Sequence, residues 1–265
     1  MDSSATWDAI TAAFRARARV LVAYSGGVDS GLVARLAHDA LGPDALAVIT
    51  DTESLSRREL GEARAEAAEI GIPLRVVCAS ELASADYAAN PVNRCYFCRG
   101  ELAAVLTEIA AKDGYAAIAD GIHASDLGDV RPGIRAMDEA GFWHPLLDFG
   151  LSKADVRAAA RALGLSFWDK PSNACLSSRI PHGTPITVGL LRQVEAAEDV
   201  LRSQGFRQVR VRHDGTTARI QVLPDEIPRL RAIASAVAVE LAGLGYRHVV
   251  VDPDGYPEEP ALRTP

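Results

Sequence analysis

The hexapeptide Ser25–Ser30, with the sequence Ser-Gly-Gly-Val-Asp-Ser, constrains the fold of this chain more than any other feature. The apolar run Val20–Tyr24 before it is short enough for a buried strand of a parallel sheet. Apolar residues recur at helical spacing over 32–41 after it, and Gly42 ends the predicted helix. A strand, a glycine turn and a helix N-terminus in this order predict an anion-binding site, because backbone N–H groups and the helix dipole face the ligand.

The hexapeptide leaves two interpretations open. It is not a Walker loop, because no lysine follows the glycines, and glycine, aspartate and serine are also common in ordinary strand-to-helix turns. The complete pattern at the end of the first strand favours the anion site. The candidate phosphate-binding residues are Ser25, Gly26, Gly27 and Ser30. Asp29 is expected either to cap the helix or to hold a Mg2+ ion on the phosphates.

The same hexapeptide resembles the pyrophosphate loop of the PP-loop ATPases. These enzymes cleave ATP to AMP and pyrophosphate while they adenylylate a substrate. The resemblance implies that the chain binds ATP and Mg2+, and it implies a type of reaction without naming the acceptor.

The composition is that of a globular protein, with 48% hydrophobic and 24% charged residues. The N-terminal residues lack the pattern of a signal peptide, and no apolar run is long enough to span a membrane. We therefore expect a cytoplasmic protein without a membrane partner, in which cysteines bind metal or take part in chemistry more often than they form disulfides. The net charge of −7 argues against a nucleic-acid partner.

Apolar runs alternate with helical patterns over the first two-thirds of the chain. Strands are predicted at 20–24, 46–50, 74–78 and 115–119, with helices between them. This alternation predicts an α/β fold, a Rossmann-like, doubly wound parallel sheet that we assign to a domain of residues 1–184. Ligands of such sheets lie beyond the carboxyl ends of the strands. Asp51 and Gly121 follow two of these strands and are candidate nucleotide-binding residues.

The pattern changes after Pro185. A helix is predicted from about 188 to 204, and Asp214-Gly215 is a hairpin signal between two runs of alternating apolar residues. A further helix and a strand at 248–251 complete a small α+β domain of residues 185–252, with a substrate-binding or oligomerisation role. Residues 253–265 are rich in proline and acidic residues and are expected to form an unpacked tail.

Three of the four cysteines are candidates for chemistry. Cys95 and Cys98 form a C-x-x-C motif, Cys175 lies far along the chain, and Cys78 in an apolar strand is expected to be a buried small residue. A thioredoxin-type redox pair, a structural zinc site and unrelated core cysteines are alternatives for the motif. We favour an iron–sulfur cluster held by Cys95, Cys98 and Cys175, with one iron open to an exogenous sulfide. Together with an ATP site, this would allow activation of an acceptor and delivery of sulfur to it.

Three arginines are candidate ligands of a substrate phosphate. Arg179, Arg210 and Arg212 carry planar guanidinium groups that suit phosphate. Arg210 and Arg212 alternate with valines, which places both on one face of a strand. A solvated sheet face is the alternative interpretation for this pair. Glu198 is a weaker candidate for a metal ligand.

Three segments resemble the LarE family, which consists of ATP-dependent sulfur transferases that build the nickel-pincer nucleotide cofactor. They are residues 90–95, 120–133 and 171–187, and the string Ala174–Pro181 is the most specific part. The similarity extends over most of residues 15–250. It implies that MgATP adenylylates a carboxylate of pyridinium-3,5-biscarboxylic acid mononucleotide, and that sulfur then displaces AMP. It also implies a homo-oligomer, with a hexamer as the expected assembly.

Members of this family differ in the source of the sulfur. Those with a single cysteine, matching Cys175, sacrifice its sulfur and are left with dehydroalanine. Those with three, matching Cys95, Cys98 and Cys175, carry a 4Fe–4S cluster with an extra sulfide. The resemblance therefore implies a cluster-dependent enzyme, and it leaves the donor of the sulfide unknown.

Several positions depart from the family pattern. His123 and Ser125 stand where Asn and Asp are commoner, Arg99 stands in place of Lys, and His182 stands in place of Tyr. Asp126 is then the preferred carboxylate of its loop for a nucleotide or a metal, with a turn-capping role as the alternative.

Three rival functions remain open at this point. A PP-loop tRNA thiolase would keep the chemistry and change the acceptor, although the acidic net charge argues against RNA. An ATP-dependent amide-forming ligase would need an ammonia source and has no use for the three cysteines. A regulator would bind AMP or ATP without turnover.

Overall fold

The structure of the chain is a computed structural model that describes residues 3–128, 132–171 and 174–256. Two compact units divide it. Unit 1 comprises Met1–Glu81 and Asn93–Asn173, and unit 2 comprises Leu82–Val92 and Ala174–Pro265. The predicted boundary after residue 184 therefore differs from the observed division, because residues 174–184 and the excursion 82–92 pack with the C-terminal unit.

Seven strands and eleven α-helices account for most of the described residues. The strands are β1 (Val20–Ala23), β2 (Ala45–Asp51), β3 (Leu74–Cys78), β4 (Ala117–Ala119), β5 (Val209–Asp214), β6 (Thr217–Val222) and β7 (His248–Val251). The helices are α1 (Ser3–Arg17), α2 (Val28–Leu41), α3 (Arg57–Ile70), α4 (Ala85–Ala88), α5 (Arg94–Asp113), α6 (Pro132–Glu139), α7 (Pro145–Asp148), α8 (Lys153–Ala162), α9 (Val188–Ser203), α10 (Ile227–Ala232) and α11 (Ala234–Gly243).

Unit 1 contains a four-stranded sheet in the order β3-β2-β1-β4. All of its neighbouring strands pair in parallel. Alternate residues of β1 face opposite sides: Val20 and Val22 pack in one core cluster with α1, α2 and α8, whereas Leu21 packs in a second cluster with α5. Helices therefore cover both faces, and the predicted doubly wound α/β fold is confirmed.

Two helices of unit 1 have well-formed caps at their ends. Ser56 caps α3 by accepting a hydrogen bond from the backbone N–H of Glu59, and Gly71 ends the helix in the left-handed region at φ +85°. Ser152 and Asp155 form a complete capping box at the start of α8. The capping box fixes the position of Lys153, the first residue of that helix.

Unit 2 contains the mixed three-stranded sheet β5-β6-β7. β5 and β6 form an antiparallel hairpin with Asp214 opposite Thr217, and β6 pairs in parallel with β7. Its core consists of the inward-facing residues of β5 and β6 and apolar residues of α9, α10 and α11. The predicted small α+β unit and its hairpin are confirmed.

The expected burial of Cys78 is wrong, and the expected tail is described only as far as Tyr256. Cys78 is exposed, because β3 lies at the edge of the sheet, so its carboxyl end has a neighbouring strand on one side only. The described start of the expected tail is packed: Tyr256 is buried, and its backbone N–H donates to the carbonyl of Val222. Residues 257–265 lie outside the described part. In the described residues, no helix is long and apolar enough to cross a membrane.

Candidate functional site

The hexapeptide Ser25–Ser30, which we call the glycine loop, joins β1 to α2 at the carboxyl edge of the sheet. Gly26 has φ +70°, and a Cβ atom there would lie 2.6 Å from the Cβ of Ala63 on α3. Gly27 stands at the N-cap of α2 and makes no side-chain capping bond. A glycine N-cap has no side chain to satisfy the first-turn N–H groups, so the helix N-terminus is suited to an anion.

The two serines of the glycine loop have different roles. Ser30 is buried, and its hydroxyl donates to the Gly27 carbonyl at 3.2 Å and accepts from the Ser25 backbone N–H at 3.1 Å. Ser25 is exposed, and its own hydroxyl oxygen lies 3.0 Å from that of Ser30. Ser30 therefore holds the turn closed, whereas Ser25 presents a hydroxyl to solvent.

Lys153 brings a positive charge to this loop. Its Nζ donates to both carboxylate oxygens of Asp29 at 2.7 Å. The imidazole Nε2 of His123 lies 3.7 Å from the same carboxylate. Lys153 occupies the two oxygens that Mg2+ would use, so a magnesium role for Asp29 requires this lysine to turn toward the phosphates.

Lys170 contacts the opposite side of the glycine loop. Its Nζ donates to the carbonyl of Gly26 at 2.8 Å and to Glu66 Oε1 at 2.6 Å, and Glu62 Oε2 lies 3.3 Å away. Burial raises the pKa of Glu66, and the ammonium of Lys170 opposes that shift. Lys170 therefore links the backbone of Gly26 to α3.

Gly121, at the end of β4, packs directly on the glycine loop. A Cβ atom there would lie 2.7 Å from the backbone nitrogen of Ser30 and 2.9 Å from the carbonyl carbon of Asp29. Gly121 therefore allows a close approach of two backbone segments, which is a structural requirement beside any contact with a nucleotide.

The following turn connects to the same lysine. Asp126 Oδ2 accepts from the backbone N–H of His123 at 3.1 Å and lies 3.2 Å from its Nδ1. Ser125 Oγ accepts from the backbone N–H of Lys153 at 3.1 Å. The unusual His123 and Ser125 thus support Asp29 and Lys153, and the contacts of Asp126 are those of a turn cap.

Two further carboxylates lie at the sheet edge. Asp51 pairs with Arg57 Nη2 at 2.6 Å. Asp120 is buried and accepts from His144 Nδ1 at 2.8 Å, while His144 Nε2 lies 2.8 Å from Asp138 Oδ1. Burial acts to lower the pKa of His144, but the hydrogen bonds and charges of the two aspartates outweigh it and raise the pKa to about 9. His144 is therefore held as a cation under β4.

Cys95 and Cys98 lie one turn apart at the start of α5. Cys95 is exposed, and Cys98 is half-buried, with its thiol donating to Glu81 Oε1 at 2.8 Å. Glu81 is buried and also accepts from the hydroxyl of Ser54. In the described residues of either unit, no three His, Cys, Asp or Glu side chains form a metal-binding group. Two thiols at this spacing are nevertheless suited to bind one iron–sulfur cluster, as in other C-x-x-C motifs.

Unit 2 holds Cys175 at the N-cap of a 3-10 turn, Leu176–Arg179. Arg179 is fully buried and pairs with Glu198, with Nε 2.7 Å from Oε1. Glu198 also accepts from Arg202 Nη2 at 2.6 Å and from the backbone N–H of Val211 at 3.1 Å. Because protein groups engage both of its oxygens, we infer a structural role for Glu198 instead of the weak metal role.

Arg210 and Arg212 lie on the half-buried face of β5, as their alternation predicts. Arg212 Nη1 donates to the carbonyl of Ser178 at 2.6 Å, and Arg210 stacks over the ring of Tyr256 at 4.2 Å. Burial lowers the pKa of Arg212, and the positive charges of Arg210 and Arg179 lower it further. Several guanidinium groups in electrostatic contact favour an anionic ligand.

Sequence reasoning missed three residues of these sites. Lys153 and Lys170 are two of only three lysines in a chain with 28 basic residues. They follow the glycine loop by more than 120 positions, so a local motif does not include them. The rarity of lysine was the available signal, because nearly all basic residues of this chain are arginines and only three side chains carry an ammonium group. Glu81 had no comparable signal.

Relatives align over nearly the whole chain. An uncharacterised protein of Synechocystis sp. is 44% identical over 240 residues, which is 90% of each chain. The pyridinium-3,5-bisthiocarboxylic acid mononucleotide synthase of Lactiplantibacillus plantarum is 37% identical over 248 residues, 93% of this chain and 90% of the synthase. The chain belongs to this synthase family, the LarE family.

Other similarities agree with membership of the LarE family. An uncharacterised protein of Methanocaldococcus jannaschii is 26% identical over 238 residues, 90% of each chain. The NAD synthase family matches residues 10–95, which include the glycine loop. This LarE-family protein is therefore an ATP-using enzyme with the PP-loop fold.

Proposed function

We propose that this enzyme is an ATP-dependent sulfur transferase acting on pyridinium-3,5-biscarboxylic acid mononucleotide. The observation that carries the proposal is the glycine loop: an N-terminus of α2 without a capping side chain, flanked by Lys153 and Lys170, in a LarE-family chain. The product named for the Lactiplantibacillus relative is a bisthiocarboxylic acid mononucleotide, in which sulfur replaces carboxylate oxygen.

The first step activates a carboxylate. An oxygen of the substrate carboxylate attacks the α-phosphorus of ATP, the new O–P bond forms, and the bond to pyrophosphate breaks. Negative charge develops on the leaving pyrophosphate, where the N–H groups of α2, the hydroxyl of Ser25 and the ammonium of Lys153 would stabilise it. Mg2+ would be held on the phosphates by Asp29 once Lys153 has moved to them.

The second step replaces AMP. A sulfur nucleophile attacks the carbonyl carbon of the acyl adenylate, the C–S bond forms, and the C–O bond to AMP breaks with its electron pair on AMP. Adenylylation is needed because a free carboxylate has no competent leaving group. The product is a thiocarboxylate, one sulfur having entered and one oxygen having left with AMP.

Cys95, Cys98 and Cys175 would hold a 4Fe–4S cluster. When bound, the cluster supplies an open iron that can carry an exogenous sulfide. The donor of that sulfide stays outside the proposal. The alternative is a sacrificial reaction in which Cys175 Sγ displaces AMP to form a thioester. Loss of the Cα proton and cleavage of the Cβ–Sγ bond then release the thiocarboxylate and leave dehydroalanine.

Arg210 and Arg212 would bind the phosphate of the mononucleotide. Their side chains are half-buried on one face of β5, and burial first, then the positive charges of Arg210 and Arg179, lower the pKa of Arg212. A bound dianion would offset the repulsion between these charges. We also propose that Gly121, Asp51 and Asp126 belong to the nucleotide site, at the carboxyl edge of the sheet. By family resemblance, we also propose a homo-oligomer.

The experiment is a pyrophosphate-release assay with MgATP and a panel of acceptors. We expect release to depend on the biscarboxylate mononucleotide, with AMP formed in equal amount. Stimulation by tRNA instead would favour a tRNA thiolase, and dependence on ammonia or glutamine would favour an amide-forming ligase. Nucleotide binding without pyrophosphate release for any acceptor would indicate a regulator and contradict the proposal.

A further inference from the structure

We propose that Arg179 is a positioning residue for Cys175 and does not bind the substrate phosphate. This inference rests on the proposed function for the role of Cys175 as a sulfur carrier. It replaces the expectation that Arg179, Arg210 and Arg212 act as one phosphate site.

The contacts of Arg179 point toward Cys175. Its Nη1 donates to the carbonyl of Cys175 at 3.2 Å, to the carbonyl of Ala174 and to the hydroxyl of Ser178 at 3.0 Å. The carbonyl of Cys175 also accepts from the backbone N–H of Ser178 at 2.9 Å. One edge of the guanidinium therefore holds the backbone on both sides of the Cys175 Cα.

The other edge of the guanidinium is fixed by Glu198. Nε and Nη2 of Arg179 lie 2.7 and 3.3 Å from the two carboxylate oxygens. Glu198 is itself held by Arg202 and by the backbone N–H of Val211. The chain of contacts thus runs from β5 and α9 through the buried pair of Glu198 and Arg179 to the backbone of the half-buried Cys175.

Burial separates Arg179 from the other two arginines. The Arg179 side chain is 1% exposed, whereas Arg210 and Arg212 are half-buried. A buried guanidinium that already pairs with a carboxylate would have to give up that buried ion pair to bind a phosphate, and breaking such a pair is strongly destabilising. Arg210 and Arg212 can bind a phosphate without this cost.

The positioning role applies to both sources of sulfur. A cysteine that carries a cluster and a cysteine that gives up its own sulfur must each be held in a defined orientation. Misplacement of a reacting group by about 1 Å can cost about 100-fold in rate. Lysine cannot replace Arg179 here, because one ammonium cannot reach the Glu198 carboxylate and the backbone carbonyls from two edges of a planar fork.

The test compares Arg179→Lys with Arg210→Lys in full-length protein, because Arg212 itself donates to the Ser178 carbonyl in the turn that follows Cys175. Turnover is measured as thiocarboxylate formation, and substrate affinity by calorimetry with the mononucleotide. Cys175 orientation is measured without turnover, as the rate of iodoacetamide alkylation in a background of Cys78→Ser, Cys95→Ser and Cys98→Ser. Circular dichroism checks that each variant is folded.

We expect Arg179→Lys to lower turnover about 100-fold and change the alkylation rate at least about fivefold, with substrate affinity within about twofold of wild type. Arg210→Lys should weaken affinity by about tenfold or more and leave the alkylation rate unchanged. Weakened affinity in Arg179→Lys with unchanged alkylation would overturn the inference.

A second variant, Glu198→Gln, keeps the test decisive if Arg179→Lys does not fold. Glu198→Gln keeps the shape of the partner and removes its charge, so it should change Cys175 alkylation in the same direction. Unchanged alkylation in Glu198→Gln and in every folded Arg179 variant would also overturn the inference. If the wild type forms no thiocarboxylate, the proposed function fails, while the alkylation and affinity measurements still decide the role of Arg179.

Discussion

The lysines are the most informative residues of the candidate ATP site. The glycine loop lacks the lysine of a Walker motif, and two ammonium groups reach it from residues distant in sequence. Lys153 contacts Asp29 in the first turn of α2, and Lys170 contacts the carbonyl of Gly26. A compact ammonium with three donors suits this position, because in the proposed reaction it would move from a carboxylate to a phosphate.

Removing the charge of Lys153 should slow pyrophosphate release. We expect Lys153→Met to lower the rate by about 10- to 1,000-fold, because the developing charge on pyrophosphate loses one stabilising cation. The matched control is Lys112→Met, since Lys112 is the third lysine and lies exposed in the last turn of α5. Similar rates for the two variants in the pyrophosphate assay would contradict a role for Lys153.

His144 should make the stability of the protein depend on pH. Its pKa is raised from 6.5 to about 9 in the folded state by the pairs with Asp120 and Asp138, which outweigh burial. A raised pKa stabilises the fold fully below the unfolded value of 6.5, and the contribution is lost as the pH rises through about 9. Urea unfolding of wild type and His144→Gln at about pH 6 and about pH 10 measures this contribution.

The difference between wild type and His144→Gln should be about 1 to 3 kcal/mol at the lower pH and smaller at the higher pH. His248→Gln is the control, because His248 is exposed on β7. A difference that is constant over the range would show that His144 is not charged in the folded protein.

At the level of elements, the glycine loop depends on its packing against α3. Gly26 combines φ +70° with a position whose Cβ would lie 2.6 Å from the Cβ of Ala63, whereas a Cβ at Gly27 would lie 3.5 Å from Ser25 Oγ. The first distance is a clash and the second an ordinary contact. We therefore expect the loop to tolerate an alanine at Gly27 but not at Gly26.

Gly26→Ala should lower the free energy of unfolding by about 2 to 4 kcal/mol, because it adds backbone strain and a clash with a helix. Gly27→Ala should stay within about 1 kcal/mol of wild type, since its backbone is extended and its Cβ has space. Urea unfolding of both variants measures these values. Equal losses in the free energy of unfolding of the two variants would contradict the positive φ of Gly26 or its contact with α3.

Elements with a strong local signal could be predicted from the sequence. The strands β1, β2 and β3 follow from apolar runs, and the hairpin of β5 and β6 follows from Asp214-Gly215 between two alternating runs. The sequence pattern does not place the C-x-x-C motif on a helix, although both of its cysteines lie in α5. The apolar run of β3 is compatible with both a central and an edge strand. The sequence therefore predicts a buried Cys78, whereas β3 lies at the edge of the sheet.

On the scale of the whole molecule, the sites depend on contacts between distant segments. The contacts of Lys153, Lys170 and Glu81 join residues far apart in sequence, and no periodic pattern encodes them. The composition of the C-terminal segment predicted a tail, but one aromatic residue, Tyr256, stacks on Arg210 and is buried. In contrast, the resemblance of short sequence segments to a known family was enough to predict that the chain is an ATP-using enzyme.

The iron–sulfur proposal predicts the metal content of the whole protein. Anaerobically purified protein should contain about four iron ions per chain with acid-labile sulfide and a visible absorption band. Cys95→Ser, Cys98→Ser and Cys175→Ser should each lose most of the iron, whereas Cys78→Ser should retain it. Iron-free wild-type protein that still forms thiocarboxylate would favour the sacrificial reaction at Cys175.

The central claim is that ATP cleavage drives the transfer of sulfur to a carboxylate. The most direct measurement is mass spectrometry of the small-molecule product and of the protein after one turnover with MgATP and the biscarboxylate mononucleotide. We predict a product in which sulfur replaces one carboxylate oxygen, AMP in equal amount, and an unchanged mass for the peptide that contains Cys175. Formation of AMP and pyrophosphate without sulfur in the product would contradict the account.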